Sequence, residues 1–162
     1  MKLPLGYVSG LSSLLLLASA LFLGACSGDD DAATGVPIDE QIDTFIADNN
    51  LTDVQRTSSG LVYVILEPGG PERPTVADDI TINYRAYLTD GRTFDETSGT
   101  PRTFPLGNLI RAWQEAIPLI GRGGEILILA PPSIAYGQNP PRGTGITSNS
   151  VLVFDIELVD FQ

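Results

Sequence analysis

An antiparallel α+β domain, running from about residue 57 to the end of the chain, is what this sequence predicts. Three observations predict it. Ile80, Ile82, Tyr84, Ala86 and Leu88 alternate with Thr81, Asn83, Arg85 and Tyr87, and residues 151–159 (VLVFDIELV) repeat the pattern. A period of two is that of a strand with one face in a core. Thr89-Asp90-Gly91-Arg92 then reads as a tight reversal, because Asp-Gly tolerates positive φ. Against these strands stands a single core-like helical stretch, NLIRAWQEAI (108–117), with Leu109, Ile110, Trp113 and Ile117 spaced by threes and fours.

In chain order, residues 1–25 read as a leader. Lys2 gives it a positive start, and Leu11 to Leu23 (LSSLLLLASALFL) is an apolar run. As a helix that run covers about 20 Å, too short for a bilayer core of ~30 Å, so it reads as a secretion signal rather than a span. Leu23-Gly24-Ala25-Cys26 resembles the lipobox of bacterial lipoproteins. That resemblance implies cleavage before Cys26 and lipidation at Cys26. It also implies a cell-envelope location, and Ser27, where some bacteria use a retaining aspartate, directs the expectation to the outer membrane. The chain has only this one cysteine, so no internal disulfide can form and the lone thiol has an explanation.

Residues 26–37 are small and acidic, and we read them as a flexible tether; Asp29-Asp30-Asp31 is better taken as solvated linker than as a calcium site. Residues 38–56 hold a short helix and a linker. Ile38, Ile42, Phe45 and Ile46 fall at helical spacing within residues 38–50, giving an apolar face to pack on the domain or on a second copy, a homodimer contact.

From residue 57 the strands begin. Leu61 to Leu66 is closed by Pro68-Gly69-Gly70-Pro71, and the long alternating strand and its reversal follow. Thr93-Phe94-Asp95 starts the return, a short strand lies near Phe104-Pro105-Leu106, and Asn108 is a good N-cap for the helix that Pro118 ends. Glu125 to Ala130 and the final 151–159 segment complete the set.

Composition removes several chemistries. Twenty acidic residues against nine basic ones leave a net charge of −11, so nucleic acid is not an expected partner. The chain has no histidine, which excludes serine–histidine–acid triads, cysteine–histidine dyads and histidine-ligated zinc. Taken alone, Tyr84, Phe94 and Phe154 would be ordinary core aromatics, and Tyr136, in a loop after Pro131-Pro132, a surface residue.

Four pieces in order change that reading: INYRAYLTDGRTFDET, FPLGNLIRAW, GRGGEILILAPPSIAYG and SVLVFDIEL. Over residues 60–162 the chain resembles the FKBP-type peptidyl-prolyl cis-trans isomerases, the macrolide-binding immunophilins. The resemblance implies a curved antiparallel sheet of five to six strands wrapped around one short helix, with an apolar pocket between them. Carried over by position, Tyr84, Phe94, Asp95, Tyr136 and Phe154 would be the catalytic wall. Leu109, Ile110, Trp113 and Ile146 would bind substrate, with Trp113 the floor under a proline ring. The Ile110 N–H and the Tyr136 hydroxyl would face carbonyls of the bound chain, and Asp95 would be hydrogen-bonded or ion-paired beside the pocket. Implied partners are proline-containing polypeptides and macrolides such as rapamycin or tacrolimus; no metal or cofactor is implied.

The chemistry is compatible with these residues. Rotation about X–Pro meets a barrier of ~18–20 kcal/mol and breaks no bond, so no histidine, nucleophile or metal is required. A binding module or chaperone that keeps the pocket with little or no catalysis is the competing reading. Four residues depart from the family pattern. Arg102 stands where many members carry a pocket aromatic, Ala112 replaces a glycine, and Thr147-Ser148 stand where many carry prolines. These departures bear on macrolide affinity and sequence preference, and they predict a looser 139–150 loop.

Overall fold

A computed structural model describes residues 35–162. The leader, Cys26 and the tether up to residue 34 lie outside the described residues.

Helix α1 (Ile38–Asp48) has Asp39 and Glu40 in its first turn, where the helix dipole favours them. Asn50 ends it, adopting φ 51°. The Asn50 N–H bonds Ala47 O (3.1 Å) and the Leu51 N–H bonds Ile46 O (3.0 Å), closing the helix with a Schellman pattern.

The strands are β1 (Gln55–Arg56), β2 (Val62–Glu67), β3 (Asp79–Leu88), β4 (Thr93–Glu96), β5 (Arg102–Pro105), β6 (Gly124–Ala130) and β7 (Leu152–Phe161). They form one antiparallel sheet in the order β1-β2-β6-β7-β3-β4, with β5 pairing further along β3. The sequence predicts five to six strands; the seventh is β1, two residues long and too short to carry a period.

Alternation along the strands divides the side chains between two faces. Ile82, Tyr84, Ile126, Ile128, Phe154 and Ile156 fill the concave face, where helix α2 (Arg111–Ala116) lies with Ala112, Trp113 and Ala116 buried. Ala112 and Ala116 are fully buried, and such small side chains let the helix approach the sheet closely. On the other face α1 buries Ile42 and Phe45 against Val62, Tyr87, Leu127, Leu129, Val151 and Val153. The apolar side of α1 is thus packed on its own domain.

The entrance to α2 differs from expectation. Asn108 does not cap the helix but closes a 3-10 turn, Leu106–Asn108. Leu109 and Ile110 are extended, and Ile110 is the residue that precedes the first helical turn. The chain must reverse between β5 and α2, and the 3-10 turn makes that reversal, sealed by the Leu109 N–H on Leu106 O at 3.1 Å. At the other end Pro118 permits only one further 3-10 turn, Ile117–Leu119.

Candidate active site

A cavity of about 250 Å³ opens between α2, β3, β4, β5 and β7. Its walls include Tyr84 from β3, Phe94 and Asp95 from β4, Leu109 and Ile110 from the approach to α2, Trp113 from α2, Tyr136 from the loop after β6 and Phe154 from β7. Eight of the nine pocket residues expected from sequence therefore meet at one hollow. Ile146 does not line it; that side chain is buried in the concave core cluster, in a loop folded by Gly143 and Gly145 at φ 82° and 76°.

Five rings touch in series around the hollow. Phe104 meets Tyr84 edge-on at 6.3 Å, Tyr84 meets Trp113 at 5.1 Å, Trp113 meets Phe154 at 5.4 Å, and Phe154 meets Phe94 at 6.1 Å, all near perpendicular or steeply tilted. Edge-to-face contacts of this kind favour one arrangement of the rings, so the walls are held before any ligand arrives. Trp113 is 6 % exposed, and its Nε1 is buried with no hydrogen-bond partner among the described residues. An orphan buried donor is uncommon and costs about 1–3 kcal/mol.

A bulge explains how two consecutive residues of β4 reach the same hollow. Ala86 pairs with Asp95 and Tyr87 with Thr93, leaving Phe94 as the extra residue. In a regular strand Phe94 and Asp95 would point to opposite faces; the bulge turns both inward.

The polar side of the wall is a small network. The Tyr84 hydroxyl donates to Asp95 Oδ2 at 2.6 Å, and the Glu96 N–H donates to Asp95 Oδ1 at 2.9 Å. Arg102 Nη1 donates to the Tyr84 hydroxyl at 3.3 Å and lies 3.6 Å from Asp95 Oδ1. Burial, then the hydrogen bond to Asp95, push the Tyr84 phenol up to about 12, so it stays a proton donor at neutral pH. Burial likewise raises the Tyr136 phenol, with Asp95 adding to the rise. Across the hollow the Ile110 N–H bonds no backbone acceptor among the described residues.

Thr97 holds this wall from behind. It is 7 % exposed, its Oγ1 accepts from the Tyr84 N–H at 3.0 Å, and its own N–H donates to Tyr84 O at 3.0 Å. In the 139–150 loop, hydroxyls bond the backbone at the positions that replace the family's prolines. Ser150 Oγ accepts from the Thr147 N–H at 2.9 Å, and Thr147 Oγ1 accepts from the Asn149 N–H at 3.3 Å.

Sequence reasoning missed Thr97 and three wall residues, Ala86, Phe104 and Asn108. Alternation would have found Phe104, since it lies two residues beyond Arg102 on β5 and pairs with Ile80 of the concave face. Ala86 and Asn108 carried no such signal, being an unremarkable strand alanine and an apparent helix cap.

The family described as FKBP-type peptidyl-prolyl cis-trans isomerase matches residues 70–159, more than half of the chain. The chain belongs to this family. It is 42 % identical over 111 residues to the FKBP-type peptidyl-prolyl cis-trans isomerase FkpA of Escherichia coli strain K12, covering 67 % of this chain and 40 % of that protein. Against the peptidyl-prolyl cis-trans isomerase Mip of Coxiella burnetii it is 36 % identical over 118 residues, covering 72 % and 51 % respectively. The chain thus spans about half, or less, of the length of these curated FKBP-type relatives. Among solved structures, that of FkpA from Escherichia coli superposes with a TM-score of 0.68 at 37 % identity, over 76 % of this chain and 58 % of the other. A Pseudomonas syringae peptidyl-prolyl isomerase superposes at 0.65 with 26 % identity, over 79 % and 98 %.

Proposed function

We propose that this chain accelerates cis–trans rotation about X–Pro bonds in exported or unfolded polypeptides, and that it does so without covalent chemistry. The observation that carries this reading is the ring-lined hollow above Trp113, bordered on one side by the unpaired Ile110 N–H and on another by the Tyr84–Asp95 pair. Its volume of about 250 Å³ lies just under the ~300–1,000 Å³ of drug-sized sites, which suits a single saturated ring and its peptide group.

The geometry acts on the reaction through differential binding. A planar amide is more charge-separated than a twisted one, so an apolar wall that excludes water disfavours the planar ground state relative to the transition state. Trp113 and Phe154 supply that wall, with the proline ring seated on the indole. The Ile110 N–H and the Tyr136 hydroxyl would hold carbonyls of the chain while the bond between them turns. Bringing tens of seconds to milliseconds takes roughly 5–6 kcal/mol at ~1.4 kcal/mol per decade, within reach of shape, desolvation and one or two hydrogen bonds. Asp95 is no general base, because no proton is removed; it fixes the Tyr84 hydroxyl.

The roles of the nine residues are part of this proposal, with Ile146 acting from beneath the loop rather than from the wall. So is the setting, a lipid anchor on Cys26 that holds the domain at a bacterial envelope surface, for which the leader and its lipobox-like end are the support. The described residues contain no helix long and apolar enough to cross a membrane. Macrolides such as rapamycin or tacrolimus are proposed ligands of the same hollow.

A protease-coupled assay on a proline tetrapeptide tests the activity. Wild type should exceed the spontaneous rate by orders of magnitude, and Asp95→Ala, which strands the Tyr84 hydroxyl, should lower kcat/KM about five- to tenfold. A wild-type rate equal to the spontaneous one sinks the proposal. Trp113 is the only tryptophan, so rapamycin should also change the intrinsic fluorescence.

A further inference from the structure

Two arginines of neighbouring segments are closely matched by carboxylates. Arg111, in the first turn of α2, is bound by Glu115 at 2.7 Å, and Arg92, in the β3–β4 reversal, by Asp90 at 2.8 Å. Arg102 is different. Its contact with Asp95 is 3.6 Å, too long for a hydrogen bond, and its one hydrogen bond among the described residues runs to the neutral Tyr84 hydroxyl at 3.3 Å. Its side chain is half exposed, and that hydrogen bond engages one of its five N–H donors.

The adjacent carboxylate offsets part of that charge, but its oxygens are engaged by other donors. Asp95 Oδ2 is taken by the Tyr84 hydroxyl and Oδ1 by the Glu96 N–H. Both side chains are half exposed, and with both Asp95 oxygens already hydrogen-bonded the guanidinium keeps donors to spare. Period two on β5 sets this: Arg102 and Phe104 share the concave side, Phe104 against Tyr84 and Arg102 beyond it at the edge of the sheet. A proline ring filling the hollow would leave its neighbouring residue at that rim.

We infer that Arg102 is a specificity-determining residue that selects polypeptides with an aspartate or glutamate immediately before the proline. The inference rests on the isomerase reading above and names its preferred substrate class. A guanidinium at the rim offers a carboxylate a forked, charge-assisted contact that an aromatic side chain could not. It acts against the field of a body with net charge −11, which repels acidic substrates at long range, so the contact matters most at close approach.

The test is a set of tetrapeptides differing only in the residue before proline, with Glu, Gln or Leu there, assayed on wild type and on Arg102→Met. Glu and Gln have the same shape, so the ratio of their kcat/KM values isolates charge. Any general damage from losing support of Tyr84 cancels in the ratio. That ratio should fall about threefold to fivefold in Arg102→Met, and Arg102→Lys should retain most of it. Raising salt to about 1 M should shrink the wild-type ratio and leave the Met variant unmoved. An equal ratio in wild type and Arg102→Met overturns the inference. Should no peptide be accelerated at all, the isomerase reading fails by itself. Titrating the Glu and Gln peptides against Trp113 fluorescence then still decides Arg102, and equal affinities overturn its role.

Discussion

Thr97 and Tyr84 show how a single hydroxyl can hold a site together. The Tyr84 N–H lies where β4 drifts away from β3, and only Thr97 Oγ1, at 3.0 Å, satisfies it. Replacing that oxygen with a methyl group of the same shape would leave a buried amide without an acceptor. Thr97→Val should therefore destabilise the fold by about 1–3 kcal/mol, measured by denaturant unfolding, and lower activity through the loosened Tyr84 wall. A loss below half a kilocalorie, about the scatter of surface changes, would show that water replaces Thr97 there. Nothing in the local sequence distinguishes Thr97 from Thr93 or Thr100, because its partner is a backbone group thirteen residues away. Tyr84, Phe94 and Asp95 were legible as a group for the opposite reason. They sit in a run whose order of residue types matches a family, although the bulge that turns Phe94 and Asp95 to one side is visible only in the pairing.

At the scale of elements, the sheet is clothed on both faces by helices of different kinds. α2 is short, begins without a side-chain cap and is held by burial of Ala112, Trp113 and Ala116. α1 is longer, closes with the Asn50 turn and covers an outer face that would otherwise expose Leu127, Leu129, Val151 and Val153. It is also tied to the 139–150 loop. The Gln41 amide donates to Asn149 O at 2.9 Å and accepts from the Val151 N–H at 3.4 Å, while Asn149 Nδ2 donates to Val36 O at 2.9 Å. Phe45 is 6 % exposed and meets the Tyr87 ring at 6.3 Å. Phe45→Ala should cost about 3–5 kcal/mol and increase binding of a hydrophobic dye; an unchanged melting point would show that α1 is a passive cover. The amphipathic period of α1 was readable, but period alone names no partner, so its place on the domain needed coordinates. Misplacing the start of α2 has a similar cause: Asn108 is a sound cap by type, yet the reversal after β5 consumes it in a 3-10 turn.

For the molecule as a whole, charge is the uneven quantity, and the pairing of the sheet concentrates it. Glu67 pairs with Glu125 and Glu125 with Glu157, so three carboxylates stand side by side across three strands, an arrangement that opposes folding. Asp155, on the same outer face of β7, is half-buried between this row and α1. Burial pushes its carboxyl above the ordinary range, and the Tyr87 hydroxyl at 3.5 Å and the Arg85 charge only partly offset that. The sign follows from linkage. A carboxyl raised on folding binds its proton more tightly when folded, so its contribution is greatest below the unfolded value and is lost as pH rises through the folded one. At neutral pH the ionised Asp155 thus weighs against the fold. Asp155→Asn keeps an acceptor for Tyr87 and removes the charge, so it should raise the melting temperature by about 2 °C near pH 7. The gain should vanish near pH 3, where the aspartate is already protonated. Thermal melts of both proteins at the two pH values decide this, and an equal gain at both would assign the effect to packing instead of charge.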